Sequence, residues 1–177
     1  MLAQLADSPT AVRYANRDDE DALVAMVRRM HDDKEWGLRD WDGLPLRPAE
    51  EKVRAIIQRA TVPNRNAPDA GCWIGVVSVG AELQGSACLR VQEPELSGGA
   101  YLEEIWNWVA PEHRRGIAGQ LLLAFSLGLA DEKQLTLVSA VRCYDNGGRY
   151  RFLKRRIGQP IGSLFQYHNA NAAAGTV

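Results

Sequence analysis

Val109-Ala110-Pro111-Glu112-His113-Arg114-Arg115-Gly116-Ile117-Ala118-Gly119-Gln120-Leu121-Leu122 is the stretch that decides how this chain is read. An apolar, strand-like run, Ile105 to Val109, stops at a proline. A basic turn containing a glycine follows, and an apolar helix opens without a break. A helix start leaves backbone N–H groups unpaired, and the aligned peptide dipoles add partial positive charge there. The combination suits phosphate or pyrophosphate, and two neighbouring arginines add charge-assisted contacts to the same anion. A Gly-x-x-Gly at a helix start also serves simply to tighten a strand-to-helix turn, so the surroundings must discriminate.

Working outward, Tyr101 to Val109 reads as the strand before the turn, and Gly116 to about Ala130 as the helix after it. A strand from Leu135 to about Val141, a helix from about Gly147 to Arg156 and a last strand from about Ile161 to Tyr167 follow. Upstream, Ala11 to Ala15 is a short strand. Asp18 or Asp19 can cap a helix in which Leu23, Met26, Val27 and Met30 recur at helical spacing. A loop from His31 to Pro48 carries Trp36 and Trp41, and Pro48 opens a helix with Val53, Ile56, Ile57 and Ala60 on one face. Cys72 to Val79 and Leu83 to Val91 are strands joined near Gly80-Ala81, a hairpin.

These residues resemble the GNAT acyltransferase superfamily, whose pyrophosphate loop reads Arg/Gln-x-x-Gly-x-Gly/Ala after a Pro-Glu-aromatic-Arg lead-in. Pro111-Glu112-His113-Arg114 fits the lead-in, with Gly116 and Ala118 on the two glycine positions. A one-residue slide brings Arg114 and Gly119 into register instead. The later helix is similar to the family's Asn-x-x-Ala-x-x-Leu/Phe-Tyr-x-x-x-Gly-Phe: Asn146 and Phe152 match, Leu153 stands at the tyrosine position, Arg149 replaces the alanine, and Ile157-Gly158 replace Gly-Phe. The resemblance implies an α+β, three-layer fold, a mixed twisted sheet flanked by helices, with residues 1–167 as one domain and 168–177 as a small polar tail. It also implies acyl-coenzyme A, acetyl-CoA above all, as donor and an amine on a small molecule or protein as acceptor. The implied cofactor contacts are His113, Arg114, Arg115, Gly116, Ile117, Ala118, Gly119 and Asn146.

Acyl transfer from a thioester to an amine needs a deprotonated acceptor, a polarised carbonyl and a protonated leaving thiolate. Glu103 and Glu104 are the candidate bases. Strict alternation groups Glu103 with Ile105, Asn107 and Val109, and Glu104 with Leu102, Trp106 and Trp108. The first set has the family's mixture of a carboxylate and aliphatic residues, which favours Glu103. Leu153 cannot donate a proton, and Tyr150, one helical turn earlier, is the candidate acid. The departures at Leu153, in the loop and at Gly-Phe equally describe a GNAT-fold protein without catalysis, a structural or interaction module such as a phage virion component.

Composition sets the remaining bounds. With 177 residues, 46% hydrophobic, the chain can bury a core. A net charge of −1 provides no global field for nucleic acid or an anionic membrane. The six basic residues between Arg142 and Arg156 lack interleaved stacking aromatics and read as a solvated face or an anion contact. No apolar stretch is long enough for a membrane span, and Met1 to Thr10 lacks a secretory plan. Cys72, Cys88 and Cys143 read as isolated, reduced, buried residues of a cytoplasmic protein, without metal-ligand spacing. Neither a homo-oligomer nor a larger assembly is decided by these features.

Overall fold

The computed structural model describes residues 11–33, 50–61, 71–80, 82–93, 99–139 and the helix 148–156, with side chains at 148–150 and 152 outside the description. The expected strand from Ile161 to Tyr167, the tryptophan loop, Pro48, Cys143 and the tail lie outside the described residues. Two compact units are present, one comprising Met1–His31 and Pro48–Ala140, the other Asp32–Arg47 and Val141–Val177.

In the first unit a five-stranded sheet runs in the order β1-β2-β3-β4-β5: β1 Val12–Tyr14, β2 Cys72–Val79, β3 Glu82–Gln92, β4 Tyr101–Val109 and β5 Thr136–Ser139. The first four strands are antiparallel neighbours, and β5 joins β4 in parallel. This is the mixed sheet that the sequence implied. Its helices are α1 Glu20–Asp32, α2 Glu50–Ala60 and α3 Ala118–Lys133, and in the second unit α4 Gly148–Arg156.

The first helix starts differently from the expectation. Asn16, not Asp18 or Asp19, is the cap: its side chain accepts the Asp18 N–H over a short 3-10 turn, Arg17–Asp19, that runs into α1. Asp19 completes the box by accepting the Asn16 N–H at 2.8 Å. Its two oxygens also receive both guanidinium NH groups of Arg13 at 2.7 Å, which explains why this carboxylate is buried. Arg54 of α2 reaches Glu20 and Asp21 of α1 and Glu50 of its own helix, tying the two helices together.

One face of the sheet packs on α3. Trp73, Val77, Ala87, Leu89 and Leu102 form a core with Ala118, Leu122, Leu129 and Ala130. Each of the leucines and Val77 contributes about 1.5–3 kcal/mol when fully buried. Gly75 lets the helix approach: a Cβ there would lie 2.6 Å from the Phe125 ring. The opposite face meets α1, where Ser86 Oγ lies 3.2 Å from Met26 and the Arg29 guanidinium sits over the Trp108 ring. The hairpin turn uses Gly80 at φ +57°, a conformation that favours glycine.

Candidate active site

β4 is not a regular strand. Cys88 pairs with Trp106 and Leu89 with Glu104, so Ile105 is an extra residue on β4. Such a bulge interrupts the alternation of faces. Leu102 and Glu104 therefore share the α3 face with Asn107 and Val109, while Glu103 shares the α1 face with Trp106 and Trp108. Contacts bear this out. Asn107 Nδ2 donates to Glu104 Oε2 at 3.0 Å, and Val109 packs on the α3 core. Trp106 Nε1 donates to Ser86, which also touches α1. The two alternation sets expected from the sequence are thus corrected at Ile105.

Among the described residues the pairing of β4 with β5 runs as far as Glu104 opposite Ser139. Among the described residues no strand pairs with the outer side of β4 from Ile105 to Val109. The bulge at Ile105 directly follows the last pair described between β4 and β5.

The basic turn follows β4. A 3-10 turn, Pro111–His113, follows Ala110, and α3 begins at Ala118, two residues later than expected. The difference matters: Gly116 donates its N–H to the His113 carbonyl, but no acceptor among the described residues takes the N–H groups of Arg115, Ile117, Ala118 and Gly119. Ile117 occupies the helix cap and offers no side-chain acceptor. Four open donors at the start of a sixteen-residue helix form a ready anion cradle. Arg115 is exposed beside them, whereas Arg114 donates Nε to the Val109 carbonyl at 3.1 Å and so braces the turn against β4. The sequence treats the two arginines alike; their positions distinguish them.

The two candidate carboxylates occupy different surroundings. Glu103 Oε2 accepts from Arg90 at 2.7 Å and from Gln92 at 2.9 Å, and its side chain is 35% exposed. Glu104 is buried, with Oε1 accepting the Ser139 hydroxyl at 2.8 Å and Oε2 accepting Asn107. The partners Arg90, Gln92, Asn107 and Ser139 were not singled out in the sequence. Only the asparagine inside an apolar strand hinted at a polar network there. His113 lies in the turn with Nε2 3.6 Å from a Glu82 carboxylate oxygen. Asn146 lies outside the described residues, and Tyr150 belongs to α4 with its side chain likewise outside. Leu153, on the same helix, is buried.

The cysteines are not isolated. Cys72 and Cys88 are buried on adjacent strands with Sγ atoms 3.7 Å apart. They stand diagonally, since Cys72 faces Arg90 and Ile74 faces Cys88. Burial pushes the Cys88 thiol well above its usual range.

No protein-family model matches the sequence, and no curated protein matches it. Solved structures do. A predicted acetyltransferase from Clostridium acetobutylicum, determined with acetyl-CoA, superposes with a TM-score of 0.63 at 11% identity, covering 91% of this chain and 96% of its own. The ribosomal-protein-alanine N-acetyltransferase of Brucella melitensis gives 0.62 at 13% identity, covering 90% and 98%. An aminoglycoside acetyltransferase from a soil metagenome, in complex with sisomicin, gives 0.56 at 14%, covering 89% and 92%. The helix order, the antiparallel sheet closed by a parallel β5 and these superpositions agree: the chain has the GNAT acyltransferase fold.

Proposed function

We propose that this protein transfers an acetyl or other small acyl group from acyl-coenzyme A to an amine. The observation that carries the reading is the uncapped start of α3, with four open amides in the turn directly after the bulged strand β4. These residues fit a pyrophosphate: the open donors lie in the turn and first residues of a positive helix end, and Arg115 adds charge beside them. The coenzyme supplies a thioester, whose carbonyl is open to attack by an amine.

The chain's own residues have the following roles. The amides of Arg115, Ile117, Ala118 and Gly119 hold the diphosphate, with Arg115 as its ion partner and Arg114 keeping the turn seated on β4. Gly116 shapes the turn, and His113 supports it from the Glu82 side. Asn146 belongs to the cofactor contacts by the resemblance. Glu103, the more exposed of the two carboxylates, takes the proton of the acceptor amine, directly or through water. Tyr150 is the hydroxyl that would protonate the departing thiolate. Of the structural neighbours, one is an aminoglycoside acetyltransferase in complex with sisomicin and another is named a ribosomal-protein-alanine N-acetyltransferase, which supports an amine acceptor on a small molecule or a protein.

Acetyl-CoA should stabilise the fold by mass action, by about 2.7 kcal/mol at a hundredfold excess over Kd, and so raise the melting temperature. Arg115→Glu should remove that shift while leaving the free protein's melting temperature unchanged, because Arg115 is exposed. Turnover is followed by thiol release with a panel of amines. A cofactor shift without turnover on any amine would favour the second reading, a GNAT-fold protein without catalysis, to which the buried Leu153 at the family's tyrosine position lends support. Neither shift nor turnover would remove acyl-CoA from the reading altogether.

A further inference from the structure

Glu82, Glu112 and His113 come together where the start of β3 meets the 3-10 turn ahead of α3. One ligand atom from each lies within 4.8 Å of the others. Glu82 is thirty residues before its partners, so no sequence motif announces the cluster. The backbone fixes the meeting: Ala110 donates its N–H to the Gln84 carbonyl at 2.9 Å, and His113 donates its own to Ala110 at 2.8 Å.

The cluster contains a polar atom in need of a partner. His113 Nε2 is shut off from solvent and makes no hydrogen bond. The Glu82 oxygen 3.6 Å away is too distant to be its acceptor. A buried polar atom left without a partner calls for an explanation, and an ion is one. Two ligand atoms held about 2.0–2.2 Å from one zinc at a tetrahedral angle stand about 3.4 Å apart, close to the observed separation. Glu112 shares one oxygen with Arg29 at 2.7 Å, which leaves its second oxygen for a metal.

We propose that Glu82, Glu112 and His113 bind a divalent first-row transition metal of the zinc class. One nitrogen and two carboxylate oxygens are a donor set that such ions accept, with water completing the coordination. The ion would pin the β2–β3 hairpin to the turn that carries the open amides, and would give His113 Nε2 the partner it lacks. It is separate from the acyl-transfer reading and stands whether or not the protein binds acyl-coenzyme A.

The test uses the full chain at pH 7.5 with zinc alone, followed calorimetrically, and with cobalt(II) alone, followed by its visible absorption. His113→Ala and Glu82→Gln are compared with the wild type; Glu82 is exposed, so the second variant keeps the fold even if the first does not. Expected is one ion per chain, with affinity reduced at least about tenfold in each variant, the loss seen when even an outer-shell partner of a metal site is removed. No binding to the wild type, or a loss smaller than this in either folded variant, overturns the proposal. Such a result would assign any bound metal to the cysteines or other histidines.

Discussion

Removing Ile105 is the perturbation that interrogates the central strand most directly. Deleting one residue from a strand normally reverses every side chain on one side of the cut. Here the deleted residue is the unpaired one, between Glu104 opposite Leu89 and Trp106 opposite Cys88. The shortened strand can keep Glu103, Trp106 and Trp108 on the α1 face and Glu104, Asn107 and Val109 on the α3 face. What is lost is the burial of one half-exposed isoleucine, about 1–1.5 kcal/mol when full burial of such a side chain is worth about 1.5–3. For a domain of this size that corresponds to a fall of about 2–6 °C in melting temperature. Deleting Asn107 provides the contrast. It forces Trp108 off the α1 face if the bulge is kept, or Trp106 off that face if the bulge absorbs the loss, and both are almost wholly buried there. That cost is comparable with the whole stability of a domain, about 5–15 kcal/mol. Circular dichroism melts of both deletions should show a cooperative transition for the first and none for the second. If the proposed acyl transfer is correct, both deletions should also abolish it, since each displaces residues of β4 next to the basic turn. If removal of Ile105 unfolds the protein as thoroughly as removal of Asn107, the two faces are not arranged as described and the strand has no bulge there.

Gly75→Ala should destabilise by about 1–3 kcal/mol through overpacking, because the new methyl meets the Phe125 ring at 2.6 Å; Phe125→Leu in the same chain should recover part of the loss, and strictly additive effects in the double-mutant cycle would show that the two do not touch. Ser86→Ala should cost about 1–3 kcal/mol by leaving the buried Trp106 indole N–H unpaired, with Trp106→Phe relieving that penalty in chemical denaturation; equal stability of wild type and Ser86→Ala would sink the assignment. Asp19→Asn should cost about 1–2 kcal/mol at neutral pH through the capping box and the Arg13 pair. Arg13 holds the Asp19 carboxyl below its ordinary value, so this stabilisation is complete above about pH 4 and disappears as pH falls through the lower, folded-state value. Wild type and variant should therefore converge in acid melts, and a gap that persists undiminished at low pH would show that the charge is not involved.

The sequence was most legible where composition alone dictates conformation. β4 runs from Tyr101 to Val109 as expected, since apolar alternation defines its length and Pro111 ends it. The β2–β3 hairpin is set by Gly80, whose positive φ no side chain adopts readily. The end of α3 was less legible. The helix continues to Lys133 and closes on Gln134 at φ +55°, a left-handed cap built without the glycine that usually signals one. The cap of the first helix was misplaced because four acidic residues in a row each look suitable. Only the arginine on β1 selects Asp19 for burial and leaves the cap to Asn16.

Pairing is the property that a residue list does not carry. A bulge changes which residue lies opposite which, without altering the apolar-polar rhythm, so the faces of β4 after Ile105 could not be assigned before its partner strand was known. The contact between Cys72 and Cys88 arises in the same way, from a diagonal relation created by the hairpin register. The basic turn shows the converse limit. Its sequence names every group that can meet an anion, but not how those groups divide the work. A guanidinium that already donates to the Val109 carbonyl holds a turn in place; one exposed beside four open amides is available to a ligand. A charge reversal at either position would look equivalent on paper. In the fold, reversal at Arg114 takes a donor from the end of β4 and should lower stability, while reversal at Arg115 should alter only the affinity for an anion. Melting temperature and ligand-induced shift, measured separately on the two variants, distinguish a brace from a binding group.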